Sequence, residues 1–268
     1  MTGRAVALLC AGLLSTSAAA APVCTLVETQ DGAILHQDGD CATRESPAST
    51  FKIALAVMGY DVGILVDAHQ PVWPYRPEYA AARASWRADV DPTYWMLNSV
   101  VWYSQKLTRA LGLERLTRYV DAFDYGNRDL SGDPEKRDGL TQAWLGSSLA
   151  ISPAGQARFL RALLELALPA SPQAQRRAME IVPAFAAAGG WSVRGKTGGA
   201  QPRGAADRSF GWFVGWAEKD GRCVVFARPT RVEAPSAAVA AAEARDGLLA
   251  ELAGFAGDGG KPATRRDP

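Results

Sequence analysis

An α+β fold is expected for this 268-residue chain from three observations. Strand-like segments cluster at both chain ends, a long helical stretch separates them, and turn tripeptides and dipeptides join neighbouring strands into hairpins. Such an order builds one antiparallel sheet from the two ends of the chain and leaves the middle as a helical lobe. With 48% hydrophobic and 21% charged residues, composition is that of one globular unit with a large core. No internal repeat is present.

Taken in order, residues 1–20 read as a secretory signal. Arg4 supplies the positive start, residues 5–14 the apolar run, and Ala18 and Ala20 an A-x-A site with cleavage after Ala20. The apolar run is short of the ~20 residues that span a bilayer, so the expectation is a soluble periplasmic protein with no membrane contact after cleavage. Cys10 follows Leu9 and belongs to the discarded segment. Residues 24–37 alternate about Asp31-Gly32, a two-residue hairpin turn. Ser46-Pro47 offers an N-cap followed by proline at the first helical position, with the apolar helix 51–58 behind it, so Ser49 falls in a first helical turn.

From residue 61 to 188 the pattern is helical, clearest at 107–123 and 154–168, with loops at 69–77, 124–139 and 169–172. Strand composition returns at 191–194, 209–217 and 223–227, the last two joined by Lys219-Asp220-Gly221. Residues 237–253 close the fold as a helix, and 257–268 read as a disordered Gly/Pro/charged tail. A mixed lobe from 21–60 and 189–256 and a helical lobe of 61–188 follow. In the first hairpin the turn sets residue 24 opposite about residue 39, so one irregularity brings Cys41 beside Cys24. A Cys24–Cys41 disulfide is the expectation, two reduced cysteines the alternative.

Chemistry is bounded by what is scarce. A net charge of +1 gives no reason to expect nucleic acid or an anionic membrane as partner. The two histidines, His36 and His69, lie in unrelated contexts, too few for a zinc hydrolase and unpromising for a Ser-His-Asp triad; no metal is expected. Ser49-Thr50-Phe51-Lys52 is more informative, since residues three apart share a helix face and bring an amine beside a hydroxyl. The helix start adds a positive dipole and free N–H groups. Spacing alone is weak, because about one S-x-x-K arises by chance in such a chain. Lys196-Thr197-Gly198, between a strand and the aromatic strand 210–216, adds a lysine, a hydroxyl and a glycine that lets substrate backbone approach.

Together with Ser99-Val100-Val101, Tyr125-Gly126-Asn127, Trp144-Leu145 and the run Phe210-Gly211-Trp212-Phe213-Val214-Gly215-Trp216, these segments resemble the class D (oxacillinase-type) serine β-lactamases over residues 24–253. Y-G-N separates that class from class A, whose S-D-N and loop glutamate are absent. The resemblance implies a penicillin-binding transpeptidase-like fold and hydrolysis of β-lactam antibiotics. It further implies Ser49 as nucleophile and Lys52, carbamylated by carbon dioxide or bicarbonate, as general base; no other cofactor is implied. Val101 and Trp144 would flank and hydrogen-bond the carbamate, Ser49 and Gly199 N–H groups would form the oxyanion hole, and Ser99 would relay a proton with Lys196 nearby. Thr197, Gly198 and Arg245 would bind the substrate, the arginine through its carboxylate, with Arg228 or Arg231 as substitutes. A transpeptidase or carboxypeptidase and a non-catalytic β-lactam sensor share the S-x-x-K and K-T-G motifs. Monomer and dimer both remain open. Trp102 stands where many members have proline, and residues 199–204 depart from commoner sequences after K-T-G.

Overall fold

The structure, a computed structural model, describes residues 21–201, 208–233 and 236–257. The signal expected at residues 1–20, the departures at 202–204 and all but the first residue of the expected tail lie outside the described residues. An antiparallel sheet contains β1 (Ala21–Pro22), β2 (Cys24–Thr29), β3 (Ile34–Gly39), β4 (Ala184–Ala186), β5 (Ser192–Ala200), β6 (Ser209–Lys219) and β7 (Arg222–Val232). Their order is β3-β2-β7-β6-β5-β4, with β1 beside β7. The two chain ends meet where β2 adds to β7, Leu26 opposite Ala227 through Thr29 opposite Val224.

Both faces of the sheet are covered, so the middles of β6 and β7 are buried on consecutive residues rather than on alternate ones. Val193, Phe213, Val224 and Phe226 face the closing helix α8 (Ala237–Phe255), meeting its Ala244, Leu248 and Leu252. Leu26, Trp212, Val214, Val225 and Ala227 join the main core with the helical lobe. The backbone of α8 lies nearly on β6: a Cβ at Gly211 would sit 2.1 Å from the Ala240 carbonyl carbon, so this contact requires glycine on the strand and small residues on the helix.

The other helices are α1 (Lys52–Asp61), α2 (Pro92–Asn98), α3 (Val101–Leu111), α4 (Leu113–Ala122), α5 (Gly139–Gln142), α6 (Pro153–Leu164) and α7 (Pro172–Glu180). Helix α1 is buried from Lys52 through Tyr60, as an all-round apolar helix must be. Three starts follow one recipe: Asp91, Ser152 and Ser171 each cap with a side-chain oxygen, and proline follows at the first position. The amphipathic stretch expected at 107–123 is two helices, because Gly112 takes φ 78°, ψ 155° and turns the chain. Strand β4 lies inside the stretch expected to be helical; three residues are too few to show an alternation. No helix among the described residues is long and apolar enough to cross a membrane.

Cys24 and Cys41 are disulfide-bonded with a Cα–Cα distance of 5.2 Å. Cys24 pairs with Gly39, and the one register shift falls between Val27 and Glu28. Cys223 is the free cysteine among the described residues and is half-buried. Gly211→Ala should lower unfolding free energy by ~3 kcal/mol through forced displacement of α8, measured by urea denaturation; an unchanged midpoint would contradict the close approach. In the denatured chain lacking residues 1–20, thiol titration should find one thiol, and Cys24→Ser should cost ~3 kcal/mol. Three titratable thiols would remove the bridge.

Candidate active site

Ser46 does not cap the helix as its position before Pro47 suggested. Its hydroxyl donates to Trp144 O (2.8 Å) and accepts from Gly146 N (2.9 Å), tying a distant loop to the approach. Pro47 takes the cap position without a side-chain bond, and the first turn, Ala48–Phe51, is a 3-10 helix. Thr50 Oγ1 donates to Pro47 O (2.7 Å) and accepts from Gln156 Nε2 (2.8 Å). Ser49 therefore stays half-exposed on a turn whose other residues, Ala48, Thr50 and Phe51, are buried. N–H groups of a first turn lack helical acceptors, so this turn offers donors to an anion.

Lys52 opens α1 with 0% exposure, and its Nζ donates to Ser49 Oγ at 3.1 Å. Burial pushes its pKa well below that of a free lysine, and the charges that act on it, Lys196 and Arg83, are both positive and push the same way. An amine so placed gives up its proton more readily than a free lysine, and the freed lone pair can accept one.

Lys196 comes from the sheet. It is 2% exposed, and its Nζ donates to Ser99 Oγ (3.1 Å) and Thr197 O (3.0 Å). Burial, helped by Arg83, lowers its pKa to about 7. Ser99 sits in a left-handed conformation, φ 58°, ψ 37°, at the end of α2, which turns the chain into α3. Strand β5 runs further than residues 191–194 suggested, because K-T-G itself pairs with β6, Lys196 opposite Val214 and Gly199 opposite Gly211. A Cβ at Gly198 would lie 2.8 Å from Pro47 O and 3.1 Å from Thr50 Cγ2, so this strand touches the Ser49 turn directly. Strand β4 pairs with Ser192 through Arg194, and among the described residues no strand covers β5 from Lys196 to Ala200. That free edge beside Ser49 can accept an extended ligand backbone.

Trp144 is fully buried and packs tilted against Phe51, ring centroids 5.6 Å apart. Its indole N–H has no hydrogen-bond partner among the described residues, unusual for a buried donor. Val101, the first residue of α3, is half-buried against the main core. Tyr125-Gly126-Asn127 is architectural: Asn127 binds Ser148 O and Ala150 N through its amide (2.8 and 2.9 Å). Gly126, at φ 61°, has Ala150 O where a Cβ would stand, 2.2 Å away. This clamp fixes the loop that delivers Trp144.

Each candidate arginine is held by a carboxylate. Arg245 Nε donates to Asp246 (2.7 Å) and the guanidinium lies over Phe185 of β4, beside the far end of β5. Arg228 is buried and paired with Glu251 (2.7 Å), and Arg231 is paired with Glu45 (3.3 Å). Trp102 is accounted for: it is buried, stacks on Tyr79 at 4.9 Å, and donates from Nε1 to Trp86 O (2.8 Å). Among the described residues no group of three or more His, Cys, Asp or Glu could hold a metal ion. Arg83, whose charge acts on both lysines, carries no motif and was not singled out from sequence.

Residues 23–246 match the family model of the penicillin-binding protein transpeptidase domain. β-Lactamase OXA-9 of Klebsiella pneumoniae is 45% identical over 236 residues, covering 85% of this chain and 86% of the relative. Among solved structures, the OXA-427 class D β-lactamase superposes with a TM-score of 0.80 at 45% identity, over 85% of this chain and 96% of that one. The C-terminal domain of the Bacillus licheniformis BlaR penicillin receptor gives 0.72 at 25% identity, over 86% and 89%.

In the unfolded chain Lys196 ionises near 10.5 and in the fold near 7. Between those values the unfolded chain holds the extra proton, so this lysine makes stability rise with pH across the window and contributes no slope above it. Relative to Lys196→Met, the parent should gain ~1.4 kcal/mol per pH unit from pH 7 towards 10, read from denaturation midpoints in bicarbonate-free buffer. Parallel curves would mean that Lys196 keeps an ordinary pKa.

Proposed function

The chain belongs to the penicillin-binding transpeptidase family and, within it, to the class D β-lactamases, and from that membership we propose how its own residues open a β-lactam. Ser49 is acylated by the lactam, and Lys52, as its carbamate, is the general base of both half-reactions. The observation that carries the reading is Lys52 itself: fully buried, 3.1 Å from the Ser49 hydroxyl, and acted on by positive charges. A neutral amine is what reaction with carbon dioxide requires. The partnerless indole N–H of Trp144 is a donor suited to the resulting anion, and the half-buried Val101 offers an apolar flank.

In this reading Ser49 Oγ attacks the lactam carbonyl, and the N–H groups of Ser49 and Gly199 hold the oxyanion. As the ring C–N bond breaks, Ser99, hydrogen-bonded to Lys196, passes a proton to the leaving nitrogen. The ring carboxylate rests on Thr197 and Gly198 at the free edge of β5, near Lys196. Water then attacks the ester carbonyl and releases Ser49. A carbamate on Lys52 supplies an anionic oxygen base near neutral pH, which a plain ammonium cannot. Arg245 keeps no part in this scheme, since Asp246 and Phe185 hold it elsewhere. Export to the periplasm through residues 1–20 and antibiotic resistance of the cell complete the proposal.

The likeness to a penicillin-receptor domain favours a second reading, a sensor that is acylated and stays so. Hydrolysis of a chromogenic cephalosporin separates the two: turnover supports the hydrolase, whereas a stoichiometric burst without turnover supports the sensor. For the base, activity should fall about a hundredfold or more in degassed, mildly acidic buffer and return with bicarbonate. A carbon-13 carbamate signal should appear in the parent, vanish in Lys52→Ala and weaken in Trp144→Phe. Full activity in degassed buffer with no such signal would leave Lys52 a plain amine.

A further inference from the structure

Residues 71–91 cross the helical lobe as an irregular strap, fastened most tightly at the joint that carries Ser99. Trp86 Nε1 donates to Asn98 O (3.0 Å), and Trp102 Nε1 donates to Trp86 O (2.8 Å), so the two indoles grip the chain on either side of Ser99. Tyr94 Oη adds a bond to Ser85 O (2.9 Å). The 3-10 turn Ala84–Trp86 is thereby held beside the Ser99–Val101 segment.

Arg83 leads into that turn with extended backbone, φ −129°, ψ 147°, and an exposed side chain. Its guanidinium carbon lies 5.8 Å from the centre of the Trp86 ring, a contact that steadies a cation without neutralising it. Among the described residues no carboxylate is at ion-pair distance from it. Because Trp86 is bonded to Asn98 O and Trp102 Nε1, the ring contact sets the guanidinium on the Ser99 side of the site, and its charge bears on both buried lysines. Resting on the β-lactamase reading above, the lactam nitrogen lies at Ser99 and the ring carboxylate at Thr197 and Lys196. The substituent on the ring carbon next to the carboxylate-bearing carbon, C3 in a cephalosporin, leaves the ring on that same side, towards the strap that carries the exposed Arg83.

We infer that Arg83 is a specificity-determining residue that sorts β-lactams by the charge of this substituent, slowing those that carry a cation there. A guanidinium suits such a filter because it is a permanent charge, unlike an amine. The exposed position makes the effect modest and sensitive to salt.

The test compares kcat/KM for two cephalosporins sharing one acylamino side chain, with acetoxymethyl or pyridiniomethyl at C3, in the parent, Arg83→Gln and Arg83→Glu. Intrinsic reactivity cancels when the ratio is compared between proteins. The preference for the neutral compound should fall about three- to tenfold in Arg83→Gln, fall further in Arg83→Glu, and converge across the three proteins in ~1 M salt. One ratio for all three proteins, or a change indifferent to salt, would overturn this inference alone. A parent that turns over neither compound would overturn the hydrolase reading and this inference with it.

Discussion

A lysine buried without an anion is the constraint on which the rest of the site depends. Lys52 begins an apolar helix, has no exposure, and is acted on by Lys196 and Arg83, both cations. Keeping an ammonium there would cost several kcal/mol, which favours the neutral, basic form of the amine. An aspartate in the same shell would reverse the outcome by stabilising the ammonium. The fold therefore surrounds Lys52 with Phe51, Ile53 and the main core, and leaves Ser49 as its hydrogen-bond partner among the described residues.

The second constraint is the seam between helices and sheet, because nucleophile and base sit on the helical side and the substrate edge on the sheet. The seam is made of short polar bonds and bare backbone. Trp212 Nε1 on β6 donates to Ser46 O (2.9 Å), Ser46 Oγ reaches Trp144 O, and Lys196 reaches Ser99. Gly198 lies against Pro47 and Thr50 with no room for a side chain. Every link ends within a few residues of Ser49, Ser99 or Trp144, so a shift of the sheet against the helices would displace the reacting groups together. Hydrogen bonds from rigid elements hold such geometry better than loops would.

How much of this is legible in the sequence depends on whether the signal is local. Capping serines followed by proline, the Asp31-Gly32 turn and the apolar run behind Ser49 report local geometry, and the α+β fold with its sheet from both chain ends follows from them. Lys196-Thr197-Gly198-Gly199 is a strand that composition conceals, since glycine and lysine are poor strand formers and only pairing with β6 makes it one. The break at Gly112 and the role of Ser46 fail for related reasons: one glycine conformation splits a periodic stretch, and a hydroxyl suited to capping is claimed by Trp144 and Gly146. Arg245 illustrates the limit of helix periodicity, which places a residue on a face but does not say which end of a strand that face meets.

The charge pattern carries the argument one step further. A formal net charge of +1 suggests an unremarkable field, yet three cations converge near Ser49 while Arg228, Arg231 and Arg245 are each matched by a carboxylate. Like charges at close range resolve their repulsion by losing protons where they can. The two buried lysines can; Arg83 cannot, and its exposure lets water carry its charge. The convergence thus separates into two jobs: the lysines become proton carriers because they are buried, and the arginine remains a fixed charge at the entrance because it is not.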